Sequence, residues 1–249
     1  MEIVKEIFRS YDIRGIYEKE LTNDLAYLIG RAFATISNGK IIVGHDARTS
    51  SNALNTNFIK GALKSGAEII DIGLCTTPML YYAREFFKED YAVMITASHC
   101  AKEYNGFKLC DSNGSMYGNK IKDFLNLILS GNFKDGIGHV STYDLTFDYK
   151  KMIINKITLG PRQIKAVVDC GNGTTCYFNP EILKDLGVSV VPLYCEPDAS
   201  FPNHIPDPAV ESNMVALQEK VKEVGASVGI AFDGDGDRIG VVMENGEIL

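Results

Sequence analysis

The stretch from residue 40 to residue 73 leaves few folds open. It begins with KIIVGHDAR, an apolar run that ends in charge. SSNALNTNFIKGALKSG follows, with Leu54, Phe58, Ala62 and Leu63 on one helical face and Gly66 at its end. AEIIDIG is a second apolar run. Strand, helix, strand is the βαβ unit of a parallel sheet, because a strand reaches a parallel neighbour only through a long crossover.

The pattern continues on both sides. TNDLAYLIGRAFATI, residues 22–36, puts Leu25, Leu28, Ile29, Ala32, Phe33 and Ile36 on one helical face, with Thr22 or Asn23 available as a cap. TTPMLYYAREFFKED reads as a helix, YAVMITAS as a strand ending in a polar loop, and GNKIKDFLNLILSG as a helix. DGIGHVSTYDL, around residues 135–145, is Gly-rich and weakly patterned, which suggests a boundary near residue 140. The alternation then restarts. YKKMIINKI reads as helix, IKAVVDCGNG as strand and glycine turn, CYFNPEILKDLG as helix and VSVVPLY as strand. After the connector PDASFPNHIPDP, a helix carries Val210, Met214, Leu217, Val221 and Val224. SVGIAF is the next strand, and RIGVVMENGEIL reads as a strand, an Asn-Gly turn and a return strand. The expected fold is α/β: two tandem α/β domains, 1–140 and 141–249, with mixed, largely parallel sheets flanked by helices.

Composition narrows the function. A hydrophobic content of 45% gives an ordinary globular core. No apolar run approaches the roughly 20 residues of a membrane span. A net charge of −7 with no basic stripe argues against nucleic acid as a partner. The N-terminus carries charges within its apolar stretch, so no signal peptide is expected and the cytoplasm is the expected compartment. None of the six cysteines forms a CxxC pair, so reduced, packing thiols are expected rather than a zinc or redox motif.

The sharpest chemical signal is FDGDGDR. Asp233, Asp235 and Asp237 are separated only by glycines. One Asp-Gly makes a turn, but three carboxylates so close repel each other unless a counter-ion lies between them. Carboxylate oxygens suit Mg2+ or Ca2+, and the glycines let the loop wrap an ion. The spacing fits positions 1, 3 and 5 of an EF-hand, with Glu244 at position 12, but Arg238 stands where that loop needs glycine and the flanks are strand-like. Three ligands leave Mg2+ coordination open to another oxygen, such as a phosphate.

A second constellation is MITASHCAKEYNGFKL, residues 94–109. A strand ends there, and Ser98, His99, Asn105 and Lys108 are expected in the loop that follows. No GxSxG surrounds Ser98, which disfavours a serine hydrolase. A phosphoryl-transfer reading suits both loops: a serine hydroxyl carries the phosphoryl group, a cation neutralises its oxygens, and Lys and His serve proton transfers.

These stretches, with FRSYDIRG, VGHDARTSS, DIGLCTTP, VVDCGNG and FPNHIPDP, run in the order found in the α-D-phosphohexomutases, and the chain resembles the phosphoglucomutase/phosphomannomutase branch of that family. The resemblance implies a mutase that moves a phosphoryl group between C1 and C6 of a hexose phosphate. Ser98 matches the phosphorylated serine. Asp233, Asp235 and Asp237 match the ligands of one Mg2+ per chain, with the phosphate on Ser98 as a further ligand. Lys108 matches the general acid–base lysine and His99 the neighbouring histidine. Tyr11 and Arg14 match site-lining residues, and Arg238 the arginine after the metal ligands. The implied small molecules are a hexose phosphate substrate and a hexose 1,6-bisphosphate activator.

Two departures from the family pattern stand out. Ser98-His99-Cys100-Ala101 replaces the usual Ser-His-Asn-Pro, which frees one φ and removes a side-chain amide, so a looser loop or lower activity is expected. His45 replaces a frequent arginine. The resemblance also covers only the first two of four family domains, so the third and fourth, with their sugar- and phosphate-gripping loops, are expected to be absent. A chain ending within a hairpin reads as a fragment, a split gene product or an interrupted one, and a chain supplying the C-terminal domains is a candidate partner. The alternatives are a Mg2+-dependent sugar phosphatase and a non-catalytic remnant that binds metal or phosphosugar.

Overall fold

A computed structural model describes residues 3–249, which divide into two compact units. The first comprises the chain up to Ala97 together with Glu103–Asp144, and the second comprises Ser98–Lys102 with Leu145–Leu249. The architecture is mixed α/β in both, as the alternating sequence pattern requires.

In the first unit, β1 (Ile13–Ile16) precedes α1 (Asn23–Ile36), β2 (Ile41–His45), α2 (Ser51–Lys64), β3 (Glu68–Leu74), α3 (Thr77–Phe87) and β4 (Tyr91–Ile95). β5 (Tyr104–Asp111), β6 (Gly114–Ser115), α4 (Asn119–Ser130) and β7 (His139–Thr142) complete it. The sheet runs β1-β5-β4-β2-β3-β7, with β6 paired to β5. β2 is parallel to β3 and to β4, and β7 is parallel to β3. β5 is antiparallel to β4 and to β1.

One expectation is corrected here, and one element is added. Asn105 and Lys108 lie on β5, not in a loop, because Tyr104–Asp111 completes a sheet in which Lys108 pairs with Met94. The weakly patterned segment around residues 135–145 contains β7, whose residues are all exposed. An exposed edge strand buries no alternating face, so it carries no period-two signal.

Helix α1 starts where its cap dictates: the Leu25 N–H donates to the Thr22 hydroxyl at 3.2 Å. Its apolar face buries Leu25, Ile29, Ala32 and Phe33, while Leu28 and Ile36 pack at the margin. Phe33 stacks obliquely on Phe58 of α2, with ring centroids 6.2 Å apart. Each such ring contributes about 1.5–3 kcal/mol by burial. The two helices touch backbone to backbone at Gly30 and Gly61. A Cβ on Gly61 would lie 1.9 Å from the Tyr27 carbonyl oxygen, and one on Gly30 would lie 2.0 Å from that of Phe58.

In the second unit, α5 (Thr146–Lys156) is followed by β8 (Lys165–Asp169), a 3-10 turn (Thr174–Tyr177), α6 (Asn179–Asp185) and β9 (Ser189–Leu193). α7 (Glu211–Val224), β10 (Val228–Phe232) and β11 (Ile239–Met243) complete it. The sheet order is β11-β10-β8-β9, with β8 parallel to both β9 and β10 and β11 antiparallel to β10. The edge position of β9 tolerates Pro192, which lacks a ladder donor. Met214, Leu217 and Val221 of α7 are buried with Val167, Ala231 and Val242, whereas Val210 precedes the helix and is exposed. The helix expected over 176–187 is interrupted, because the chain turns at Thr174–Tyr177 before α6 begins.

Gly61→Ala is expected to lower the stability of the first unit by about 1–3 kcal/mol, because the helix backbones must separate. Gly160→Ala meets nothing within 4 Å and should leave the urea midpoint unchanged. Equal midpoints for the two variants would contradict this packing account.

Candidate functional site

The candidate site is built on the hairpin between β10 and β11. Phe232 pairs with Ile239, so residues 233–238 form the connecting loop. The Asp233 N–H donates to the Arg238 carbonyl at 3.2 Å, and the Gly236 N–H to the Asp233 carbonyl at 3.1 Å. These bonds turn the chain tightly and gather the acidic side chains. One carboxylate oxygen each from Asp233, Asp235 and Asp237 lies within 4.8 Å of the others. Asp233 and Asp235 are fully buried, and Asp237 is exposed.

Ser98 lies against this loop within the same unit. Its hydroxyl donates to Asp233 Oδ2 at 2.6 Å, and His99 Nδ1 lies 3.3 Å from its Oγ. Ser98 is buried and has a φ of 51°, in the left-handed region that side chains other than Asn and Asp rarely adopt. Such a residue costs roughly 1–3 kcal/mol and persists only where its surroundings impose it. Gly234 is part of those surroundings, since a Cβ there would lie 2.4 Å from the Ser98 carbonyl oxygen. The glycine lets the serine and aspartate loops meet backbone to backbone.

The electrostatics follow from the crowding. Burial and then the Asp235 charge push the Asp233 carboxyl up to about 7, against the hydrogen bond from Ser98, with Asp237 adding to the rise. The Arg238 N–H donates to Asp233 Oδ1 at 3.0 Å. Its half-exposed guanidinium stands 4.0 Å from Asp237. Carboxylate oxygens of this number and closeness are the donor chemistry of a hard divalent cation. The residues therefore fit Mg2+.

Tyr11, Arg14 and Lys108 belong to the first unit. Tyr11 is 77% exposed. Arg14 on β1 directs Nε and Nη2 to Asp12 Oδ2, at 2.9 and 2.5 Å. Lys108 is on β5.

Two supporting networks escaped sequence reasoning. In the first unit, buried Asp46 accepts from the Arg48 guanidinium at 3.2 Å, from the Thr96 hydroxyl at 2.7 Å and from Ser51. Asn105 Nδ2 donates to Ser50 and Ser51 at 2.7 and 2.9 Å. This network ties Thr96, just beyond β4, to the start of α2 within the first unit. In the second unit, buried Asp169 accepts from the Gly171 N–H at 2.8 Å and pairs with His204 Nε2 at 3.1 Å. The motifs VGHDARTSS and FPNHIPDP carry these residues, but their partners are distant in sequence.

Comparison with known proteins matches this arrangement to one family. Residues 5–131 match the description phosphoglucomutase/phosphomannomutase, alpha/beta/alpha domain I, and residues 147–246 match domain II of the same family. The chain belongs to the phosphoglucomutase/phosphomannomutase family. It is 40% identical to a phosphomannomutase/phosphoglucomutase of Pseudomonas putida, over 98% of this chain and 53% of that protein. It is 39% identical to a phosphoglucomutase of Neisseria meningitidis, over 99% of this chain and 55% of that one. A crystal structure of a phosphoglucomutase/phosphomannomutase family protein from Burkholderia thailandensis superposes with a TM-score of 0.95 at 36% identity, covering 99% of this chain and 56% of the other. The chain thus spans about half the length of the curated relatives it matches.

The His204 pair generates a pH dependence. His204 Nδ1 faces the Ile205 carbonyl at 2.9 Å while Nε2 faces Asp169, so both nitrogens meet acceptors. Burial pulls the His204 pKa down, but the Asp169 contact and the Ile205 carbonyl outweigh it and the net direction is up. A raised folded value means the stabilisation is complete below the ordinary histidine pKa of about 6.5 and fades as pH rises through the folded value. The melting-temperature gap between wild type and His204→Gln should therefore be wider at pH 6 than at pH 8.5. A gap that widens with pH would contradict the ion pair.

Proposed function

We propose that this chain carries the phosphoryl-transfer half of a hexose-phosphate mutase acting between C1 and C6, with Ser98 as the group that is phosphorylated. One observation carries the reading: a buried serine, held in a left-handed conformation, presents its hydroxyl to a carboxylate of an acidic triad. A phosphoryl group on that oxygen would be electrostatically intolerable beside Asp233, Asp235 and Asp237 without a cation.

Asp233, Asp235 and Asp237 are the residues that would hold Mg2+, with an oxygen of phosphorylated Ser98 as a further ligand. When bound, the cation supplies charge neutralisation to the phosphoryl oxygens. The remaining roles fall to side chains. Ser98 Oγ forms the bond to phosphorus while the bond between phosphorus and the sugar oxygen breaks. The departing hydroxyl proton has Asp233 Oδ2, at 2.6 Å, and His99 Nδ1, at 3.3 Å, within reach. Lys108 is assigned general acid–base work on the sugar oxygen, Arg14 and Arg238 phosphate contacts, and Tyr11 a place lining the site. The substrate class is a hexose phosphate, glucose or mannose, with a hexose 1,6-bisphosphate priming the serine. Phosphoryl transfer depends on positioning and electrostatics, so turnover also depends on groups that orient the sugar. A chain supplying the relatives' remaining half is the proposed partner for full turnover.

Incubation with glucose 1,6-bisphosphate and Mg2+, followed by intact mass, tests the reading. The expected result is a gain of one phosphoryl group in the wild type and none in Ser98→Ala. No gain in a folded sample, or a gain that survives Ser98→Ala, overturns it. Free phosphate release without a phosphorylated protein or isomerised sugar would instead mark a phosphatase.

A further inference from the structure

A cluster of thiols that the phosphoryl-transfer reading does not use lies where β8 and β9 end. Cys170 directly follows β8, and its N–H donates to the Leu193 carbonyl at the end of β9, at 3.2 Å. Cys195 is the second residue beyond β9 and returns to the same place. Its Sγ lies 3.1 Å from Cys170 Sγ, closer than two sulfurs rest by packing alone and about 1 Å longer than a disulfide bond of roughly 2.05 Å. Cys170 is fully buried, while Cys195 is partly exposed. Cys176 is also partly exposed, its thiol directed to the Tyr194 carbonyl at 3.6 Å.

We propose that Cys170 and Cys195 are a peroxide-sensitive thiol pair that closes to a reversible disulfide across the ends of β8 and β9. The residues divide the chemistry unequally. The hydrogen bond from Cys170 favours the Cys195 thiolate, opposed by burial, and the net direction of its pKa is down. Hydrogen bonding to Cys176 and Cys195, together with burial, pushes Cys170 well up. Cys195 is partly exposed where Cys170 is fully buried, so Cys195 is the nucleophile that meets the oxidant. Its thiolate attacks one oxygen of hydrogen peroxide, the O–O bond breaks, and the departing hydroxide takes a proton to become water. Cys195 is left as a sulfenic acid. The Cys170 sulfur then attacks the sulfenic sulfur, the S–O bond breaks, and a second water leaves with the Cys170 proton. Two thiols have lost two electrons and two protons in total, and one peroxide has become two waters.

The pair is placed where a crosslink would be felt. Cys170 opens the loop whose Thr174 N–H donates to the Gly234 carbonyl at 3.0 Å, within the acidic hairpin. The preceding residue is Asp169, the partner of His204. The disulfide would tie the root of this loop to the chain beyond β9.

The test uses the full chain, treated with a small molar excess of hydrogen peroxide, alkylated without reductant, digested and mapped by mass. A peptide joining Cys170 to Cys195 is expected, lost on treatment with dithiothreitol before alkylation. Cys176→Ser should retain the crosslink and Cys195→Ser should abolish it. Full alkylation of both cysteines after peroxide, a link from Cys170 to Cys176 instead, or oxidation of Cys195 that dithiothreitol does not reverse would overturn the proposal. The wild-type map decides without reference to any variant's folding, and it does not depend on the phosphoryl-transfer reading.

Discussion

The hydrogen bond from Ser98 to Asp233 is the interaction on which the rest of the site depends. It joins a strained, buried hydroxyl to a carboxylate already crowded by Asp235 and Asp237. Neither side is comfortable alone. The serine holds a left-handed backbone, and the carboxylate is driven toward protonation by burial and its neighbour. Such destabilised groups are kept where the surrounding fold over-determines them, which is the usual condition of a reactive site.

The second unit supplies that over-determination in layers. The β10–β11 hairpin fixes the aspartates by backbone bonds, and Gly234 admits the Ser98 carbonyl. Behind it, the loop after β8 supports Gly234 through Thr174, and Asp169 with His204 anchors that loop. The cysteine pair sits at the same root. The hydrogen bonds of these layers are short-range and lie over the apolar clusters on β8 and β10.

Much of this was legible in the sequence because its signals are local. The apolar runs and helical faces fix the alternation of elements, and the FDGDGDR spacing alone demands a counter-charge. The resemblance carried by the serine and aspartate loops gave the family, which the matches over residues 5–131 and 147–246 establish. What escaped was long-range or unpatterned. Asn105 and Lys108 lie on a strand because Tyr104–Asp111 finds partners in β4 and β1, a tertiary fact that no period reveals. β7 is an exposed edge and shows no alternation. The Asp46 and Asp169 networks join residues tens of positions apart, so their motifs were visible but their partners were not. The cysteines lack CxxC spacing, yet parallel strands bring Cys170 and Cys195 together.

The central claim is that the three carboxylates are gathered to hold a divalent cation. It is tested most directly by melting temperature against MgCl2 concentration at pH 7.5, for the wild type and Asp235→Asn. A ligand that binds only the folded state stabilises it by about 2.7 kcal/mol at one hundred times its dissociation constant. The account predicts that Mg2+ raises the wild-type melting temperature in a saturable way and leaves Asp235→Asn unmoved. It also predicts that the variant, relieved of one buried charge, melts higher than the wild type when no cation is present. A wild type indifferent to Mg2+, or an equal rise in both proteins, would contradict it.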